Sequence, residues 1–560
     1  MWGLREEAFS ILALVGISAL HPAGLSRLLW RGERTLRGLA RHPFLGPASI
    51  AVMAVALCAV DAALHGVPLP VVHDEFSYLL AADTFAHGRL SNPTHPMWHY
   101  LEEFHVLQEP TRASKYPPGM GLVLALGTVG FGHPIVGVWI VMGLACAATA
   151  WALRGILPPY WAWLGGMLLA ANPMMHLWGM DYWGGSLALL GGTLAFGAFL
   201  RLRARPAVGI ALILGLGLVI LAVSRPFEGA VLSASFGVIL VATALRPGVL
   251  PMAQAISRFW LPVGACLAAA AILLAIYDAA ITGSPWLMPY VLYTAQHDSA
   301  PLFLWQSLPH PRPLYEHAMF RQIADWEQMK YAQARTVDGF LAESGDRLGL
   351  LFYRLIAPEN LLLVCSLALP ATLAGSRRGR LLAGIVGISL VALLSETYAQ
   401  PHYAAPVLPV VLALLVLCLR RVNAFRFSGR RAGQMLVRLG LIIAVATAPF
   451  TREAKMGWAL ERQAIEASLE KRPGKHLVIV RYSPSHDSRF DWVHNGADID
   501  AARIVWARDR DDGDQALIDY YRDRSAWLLE VDRPDPVPVP YDAINETRQS
   551  RAAGSDAQPD

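Results

Sequence analysis

The sequence predicts a polytopic α-helical membrane protein carrying a small α/β domain at its C-terminal end. Three observations lead there. The 560 residues are 54% hydrophobic and only 16% charged, and the mean hydropathy is +0.38, values of lipid-embedded chains rather than globular ones. Apolar runs long enough to cross about 30 Å of hydrocarbon recur between short polar breaks. Charge gathers at one end: roughly 37 of the 90 Lys, Arg, Asp and Glu residues follow Thr451.

The apolar runs place spans near 45–66, 134–154, 160–177, 182–201, 206–224, 227–245, 259–282, 359–375, 381–398, 403–420 and 434–450. About 11–12 transmembrane helices are therefore expected, in a membrane domain of residues 45–450. Before it, residues 1–44 hold an apolar segment and an Arg-rich loop. The run Ala8–Leu20 follows acidic Glu6 and Glu7 and lacks a small-residue cleavage site, so it reads as a span or a surface helix rather than a removable signal.

Orientation follows from arginine, which short cytoplasmic loops retain. Arg27, Arg31, Arg34, Arg37 and Arg41 form one cluster, and Arg201, Arg203 and Arg205 a second. Arg377, Arg378 and Arg380 make a third, and Arg420, Arg421, Arg426, Arg430 and Arg431 a fourth. All four fall on one side provided that the short, Gly-rich stretch Gly119–Phe131 does not cross and lies as a juxtamembrane helix. The outward face then receives residues 67–133 and 283–358, the turns around Asp181, Arg225 and His402, and everything after 451. In a bacterium this places the protein in the inner (plasma) membrane with an extracytoplasmic working face.

The tail, 451–540, alternates elements in the manner of a parallel α/β unit. His476–Tyr482, Arg503–Ala507 and Ala526–Val531 read as strands, and Gln515–Tyr521 as a short helix. No Gly-rich phosphate turn accompanies them, so nucleotide binding is not indicated. Pro534, Pro536, Pro538 and Pro540 are expected to end the ordered part, with 541–560 disordered. The formal charge of +4 divides between an Arg-rich body and a mildly acidic tail, which does not suggest nucleic acid as a partner. Cys58, Cys146, Cys266, Cys365 and Cys418 all sit inside apolar runs at no metal-ligand spacing and read as small core residues.

The informative polar groups lie at the outer membrane surface. His73, Asp74 and Glu75 follow the first span, and two adjacent carboxylates at such a boundary repel, raising the pKa of at least one toward that of a general base. The bland alternative is an acidic helix cap. Lys115-Tyr116-Pro117-Pro118-Gly119 holds a lysine beside a stiff turn, suited to a lipid phosphate; the alternative is a snorkelling lysine beside a belt tyrosine. Asp181 stands with Trp183 in an aromatic, Gly-rich turn. Arg225 and Glu228 fall between two spans, where ionisable groups need a function or a partner, and an Arg225–Glu228 ion pair would be the structural reading. His402 and Tyr403 occupy a further outward turn. His95, His99, Glu102, Glu103 and His105 could hold a divalent metal, but with Trp98, Tyr100, Leu101 and Phe104 between them they read better as an amphipathic surface helix, and no metal ligand is assigned.

An outward Asp74-Glu75, then Lys-Tyr-Pro-Pro-Gly, then an Asn172-Pro173 span ending before Asp181 resembles the GT-C superfamily of membrane glycosyltransferases. The nearest branches are the protein O-mannosyltransferases and the lipid A aminoarabinose transferases. The resemblance covers residues 45–245 by motif and the remaining spans in general layout. It implies Asp74 as catalytic carboxylate, Glu75 beside it, Asp181 as the acidic residue of the second outward loop, and Lys115 at the position that contacts a lipid phosphate. The donor implied is a polyprenyl-phosphate-linked sugar, and the acceptor a glycan, lipid or protein. Placement alone adds Tyr116, Arg225 and His402 as phosphate-binding candidates and His73, Trp183, Glu228 and Tyr403 as substrate-binding ones. The 283–358 segment is too short for the β-trefoil domain that protein O-mannosyltransferases often carry. Rival readings are a ligase or polymerase of the O-antigen type using a diphosphate-linked donor, and a transporter or flippase, which would gather ionisable residues at the bilayer midplane.

Overall fold

The computed structural model describes residues 23–244, 251–356, 359–447, 457–510 and 513–541. The segment Ala8–Leu20, the start of the tail and residues 542–560 lie outside them. The chain is a polytopic, mostly helical membrane protein with a small sheet near its C-terminal end.

Helix α1 (Ala23–Arg41) precedes α2 (Leu45–His65). The first outward loop contains α3 (His73–Ala86) and a small antiparallel sheet of β1 (Asn92–Pro93), β2 (Val106–Leu107) and β3 (Thr111–Ser114), with β3 central. Then follow α4 (Pro118–Phe131), α5 (Pro134–Leu153), α6 (Pro159–Ala170), α7 (Pro173–Gly179), α8 (Gly185–Leu202), α9 (Val208–Ala222), α10 (Pro226–Ala244) and α11 (Leu261–Thr282). The second large loop holds α12 (Pro289–His297), α13 (Ala318–Ala334) and α14 (Val337–Leu351), before α15 (Glu359–Gly375), α16 (Arg377–Leu394), α17 (Leu408–Asn423) and α18 (Ala432–Thr447).

Among the described residues, five helical runs are long and apolar enough to cross a membrane alone: α2, α5, α8, α10 and Ala253–Thr282. The other expected spans fall on helices that are shorter or less apolar, and the one at 160–177 is broken. Pro173 supplies no N–H to continue α6, and the Asn172 side chain accepts from the Met174 amide at 2.8 Å to start α7. The fourteen residues of α4 extend only about 21 Å at 1.5 Å per residue, short of a full crossing.

The bundle has two chemically distinct ends. At one, Glu33 pairs with Arg37 and Arg438, and Arg154 caps the Ala40 carbonyl at 2.5 Å. At the other, the turns expected to face outward meet: Gly119 N–H donates to Val223 O at 2.9 Å, and the Trp183 and His402 rings meet edge-on at 4.7 Å. Packing sets this second end closely. A Cβ on Gly192 of α8 would stand 2.1 Å from the Pro406 carbonyl, in the turn that carries His402. Gly192→Ala should therefore force backbone apart and destabilise the protein by about 1–3 kcal/mol, read as a lower melting temperature in detergent; an unchanged melting curve would show that the turn yields freely.

The tail contains α19 (Gly457–Glu470), β4 (Lys475–Arg481), β5 (Ile504–Arg508), α20 (Asp514–Tyr520), β6 (Arg524–Glu530) and β7 (Val539–Pro540). Its sheet runs β5-β4-β6-β7, parallel except for β7. The three expected strands and the helix are present. The proline run differs from expectation: Val539–Pro540 pairs along β6, an edge position that a residue without an N–H tolerates. Tyr541 then anchors the chain by donating its hydroxyl to Asp514 at 2.9 Å.

This domain is seated on the first outward loop. Phe76 stacks on His494 at 3.6 Å, and fully buried Arg112 bonds Glu103 at 2.6 Å and the carbonyls of Asn495 and Gly496. Arg510 reaches Glu316 of the second large loop at 2.7 Å. The tail and both loops thus form one cap over this end of the bundle.

Candidate active site

Asp74 and Glu75, adjacent in sequence, point to different tasks. Glu75 is the N3 residue of α3. Its carboxylate accepts from the amides of Val71 at 2.7 Å and Val72 at 3.2 Å, and from Tyr182 N–H at 3.1 Å. The helix cap is thus Glu75 rather than Asp74, and it ties the first outward loop to the Asp181 turn. Burial pushes its carboxyl up to about 7, against the three amides.

Asp74 has no such saturation. Its side chain is 40% accessible. Tyr116 donates its hydroxyl to Oδ1, and His105 Nε2 lies 3.8 Å from Oδ2. Burial would raise this carboxyl, but His105, the Tyr116 hydroxyl, Lys115 and His73 outweigh it and hold it at about 2. Asp74 is therefore an anion at any physiological pH.

Lys115 follows β3 and is only 4% exposed. Among the described residues it has no carboxylate within ion-pair distance; its ammonium sits over the rings of Tyr293 at 4.4 Å, Tyr290 at 4.9 Å and Tyr116 at 5.5 Å. Aromatic faces attract a cation without neutralising it, so the cage keeps a net positive charge available. Gly119 lets this turn approach the next one, since a Cβ there would stand 2.5 Å from Val223 O. Arg225 follows closely, its guanidinium 4.0 Å over the Tyr403 ring and 3.8 Å from Glu228. The structural reading of Arg225 and Glu228 as an ion pair is thus realised, loosely and without a hydrogen bond to Glu228 Oε1.

On the other side of Glu75 lies a cavity of about 410 Å³. Its polar lining includes Glu75, Asp181, Trp183, His176, Gln400 and His402. The Trp183 indole N–H there is buried with no hydrogen-bond partner. Burial and then Arg225 hold the His402 imidazole well below its usual value, with Asp74 opposing. It enters as a neutral ring.

The sequence-derived residues therefore fall into two connected groups. Asp74, Lys115 and Tyr116 meet directly, with His73 nearby, stacked on Phe104 at 4.2 Å. Asp181, Trp183 and His402 line the cavity, and Arg225, Glu228 and Tyr403 stand between them. The Tyr78 ring stacks on that of Tyr116 at 4.4 Å, the His402 and Tyr403 rings meet edge-on at 4.8 Å, and the bond from Gly119 N–H to Val223 O joins the Lys115 turn to the Arg225 turn, so the two groups are neighbours.

The His/Glu constellation of residues 95–105 is dispersed. His95 pairs with Asp500 at 3.0 Å, His99 with Glu316 at 3.3 Å, Glu102 with His297 and His317, Glu103 with Arg112, and His105 with Asp74. Nor is it an amphipathic helix: only Trp98–Tyr100 makes a helical turn, because tertiary partners claim each polar side chain separately. Among the described residues no group of three or more His, Cys, Asp or Glu could hold a metal ion. Reading by motif missed Tyr290 and Tyr293, whose i, i+3 spacing in α12 puts both on the Lys115 cage; that spacing was the available signal.

No family model and no curated protein sequence matches the chain. Among solved structures it is similar to an oligosaccharyltransferase of Archaeoglobus fulgidus crystallised with zinc and sulfate. The identity is 12% and the TM-score 0.49, over 87% of this chain and 67% of that one. It is also similar to ArnT from Cupriavidus metallidurans bound to undecaprenyl phosphate, at 12% identity and a TM-score of 0.48, over 86% of this chain and 92% of that one. The apo form of ArnT gives 14% identity and 0.45.

Proposed function

We propose that this chain is an inverting glycosyltransferase that moves a sugar from a polyprenyl-phosphate donor to an acceptor hydroxyl on the outer face of the membrane. The observation that carries the reading is Lys115: a buried cation with no carboxylate partner, held in a tyrosine cage beside an accessible, ionised Asp74. A buried charge without a carboxylate at ion-pair distance is costly, and the phosphodiester of a polyprenyl-phosphate sugar entering from the lipid side supplies an anion. Arg225 stands ready to share the second charge that develops on the phosphate as the sugar leaves.

In this mechanism the acceptor oxygen attacks the anomeric carbon while the bond to the phosphate oxygen breaks, and the electron pair leaves on the phosphate. Lys115 and Arg225 hold the departing anion, and Asp74, whose Oδ1 already accepts from the Tyr116 hydroxyl, takes the acceptor proton on Oδ2. Glu75 orients the start of α3, and the cavity lined by Asp181, Trp183 and His402 receives the acceptor. The arginine-rich bundle end faces the cytoplasm, which puts the cap outside.

The test is transfer by the purified full chain from polyprenyl-phosphate sugars, compared with diphosphate-linked ones; a strong preference for the diphosphate would overturn the monophosphate reading. Lys115→Met should weaken binding of undecaprenyl phosphate by about 10–100-fold, the worth of one or two charge-assisted contacts. Binding unchanged in K115M would remove Lys115 from the phosphate site.

A further inference from the structure

His105 was not marked out as a catalytic group by any motif, yet the structure holds it in place with unusual care. Its backbone is left-handed, with φ of 63°, a conformation that non-Gly residues adopt mainly where surroundings over-determine them. Those surroundings are explicit. The His105 carbonyl accepts from Ser77 Oγ at 2.7 Å and from Lys115 N–H at 3.0 Å, and its own N–H donates to Tyr293 Oη at 2.9 Å. Every backbone polar group of the residue is thus spent on aiming one side chain at Asp74.

We propose that His105 is a catalytic residue of this site, receiving at Nε2 the acceptor proton that Asp74 first takes up. The inference rests on the glycosyl-transfer reading above and deepens it. A carboxylate held near 2 takes a proton only late, when the acceptor oxygen has bonded to the anomeric carbon and its proton has become strongly acidic. The same carboxylate then sheds that proton readily and must pass it on. Of the groups around Asp74, Tyr116 is already donating to Oδ1, the Lys115 ammonium faces the tyrosine rings, His73 is stacked on Phe104, and Glu75 faces the other way against three amides. His105 Nε2 lies 3.8 Å from Oδ2, a gap that must close by about 1 Å, as catalytic contacts commonly do when substrate binds.

The ring's two nitrogens are not equivalent. The neutral ring that accepts at Nε2 carries its hydrogen on Nδ1, which is buried with no hydrogen-bond partner among the described residues, so only Nε2 can exchange a proton with the site. The groups facing the ring are Asp74 and His73 from α3, Lys115 and Tyr116 after β3, and Tyr293 and His297 from α12. Burial first, and then Lys115, keep the imidazole well below its usual value, while Asp74 opposes them. A phosphate seated on Lys115 cancels part of that repulsion. His105 thus becomes a better base when the donor is bound, and the new imidazolium pairs with Asp74 once the proton has moved. Atoms and charges balance: one C–O bond forms, one breaks, the pair leaves on phosphate, and the proton ends on Nε2 until solvent removes it.

The deciding experiment uses His105→Asn in the full chain, because Asn tolerates the left-handed backbone. The expected result is a kcat lowered about 10–100-fold, with the Kd for undecaprenyl phosphate within threefold of wild type and a flattened acid limb in the pH profile of kcat. If H105N loses its melting transition, H105Q carries the same expectation. A kcat within threefold of wild type, or a loss matched by an equal loss of undecaprenyl-phosphate affinity, would overturn the proposal. A wild-type chain that transfers no sugar from any polyprenyl phosphate overturns the glycosyl-transfer reading itself, whereas active wild type with active H105N overturns only the role of His105.

Discussion

Asp74→Asn should lower sugar transfer by about 10²–10⁴-fold, the usual contribution of a positioned general base, while leaving the fold and the donor site in place. Asn preserves the geometry: its carbonyl oxygen can still accept from Tyr116, and its volume matches. What it removes is the anion. Lys115 loses a neighbouring negative charge, so undecaprenyl phosphate should bind at least as tightly as to wild type. That combination separates a base from a phosphate ligand, because losing a ligand would weaken binding as well. The pH dependence has a defined sign. Asp74 is depressed to about 2, so it is ionised throughout the working range, and any loss of wild-type activity between pH 7 and pH 5 belongs to another group. Turnover retained in full by D74N would remove Asp74 as the base.

Much of this arrangement was legible in the chain because the membrane simplifies the code. Long apolar runs, arginine clusters and Pro or Gly at turns fix where polar residues can surface, and Asp74, Lys115, Asp181, Arg225 and His402 were found that way. The division of labour between Asp74 and Glu75 was not legible. Both sit in one acidic step, and only the Tyr182 amide, about a hundred residues on, shows which carboxylate is saturated. His105, Tyr290 and Tyr293 were hidden for a related reason. Their roles depend on tertiary placement: the i, i+3 spacing of the two tyrosines in α12 pairs them but does not say what they face, and the left-handed φ of His105 has no compositional signature in a non-Gly residue. The tail's strands were legible from β-branched runs, but its docking on Arg112 and Phe76 was not, since a buried arginine and an exposed one look alike in sequence.

That docking carries the second large effect, expected for Arg508→Met. Arg508 and Asp491 are 1% and 0% exposed, with Nη2 and Oδ2 2.6 Å apart. Methionine nearly fills the volume but leaves Asp491 as a buried anion that accepts from the Tyr482 hydroxyl at 2.7 Å and the Val493 amide at 3.2 Å. Breaking one side of such a pair destabilises by about 3–5 kcal/mol, so the unfolding midpoint of the tail should fall sharply at pH 7, followed by the fluorescence of the Trp458, Trp492 and Trp506 cluster. The pH sign follows from Asp491, whose carboxyl burial would raise but Arg508, His494 and His73 hold far below the usual range. A depressed carboxyl stabilises the fold above its unfolded value near about 3.9, and that stabilisation is lost as the pH falls below it. R508M removes the main cause of the depression, so its deficit should be largest at neutral pH and shrink toward pH 4, where the anion can be protonated. Replacing both partners, as R508M with D491N, should recover part of the loss, because no uncompensated charge remains. A deficit under about 1 kcal/mol at pH 7 would mean that the pair behaves as a surface one. The effect should also reach the site. Arg508 donates through Nε to the Glu102 carbonyl at 2.8 Å and lies 5.0 Å over the Phe320 ring, which stacks on Phe104 at 4.1 Å. Phe104 in turn carries His73 and precedes His105. A tail that loosens at Arg508 releases the strand of chain that aims His105 at Asp74, so kcat should fall in R508M before the donor site is lost.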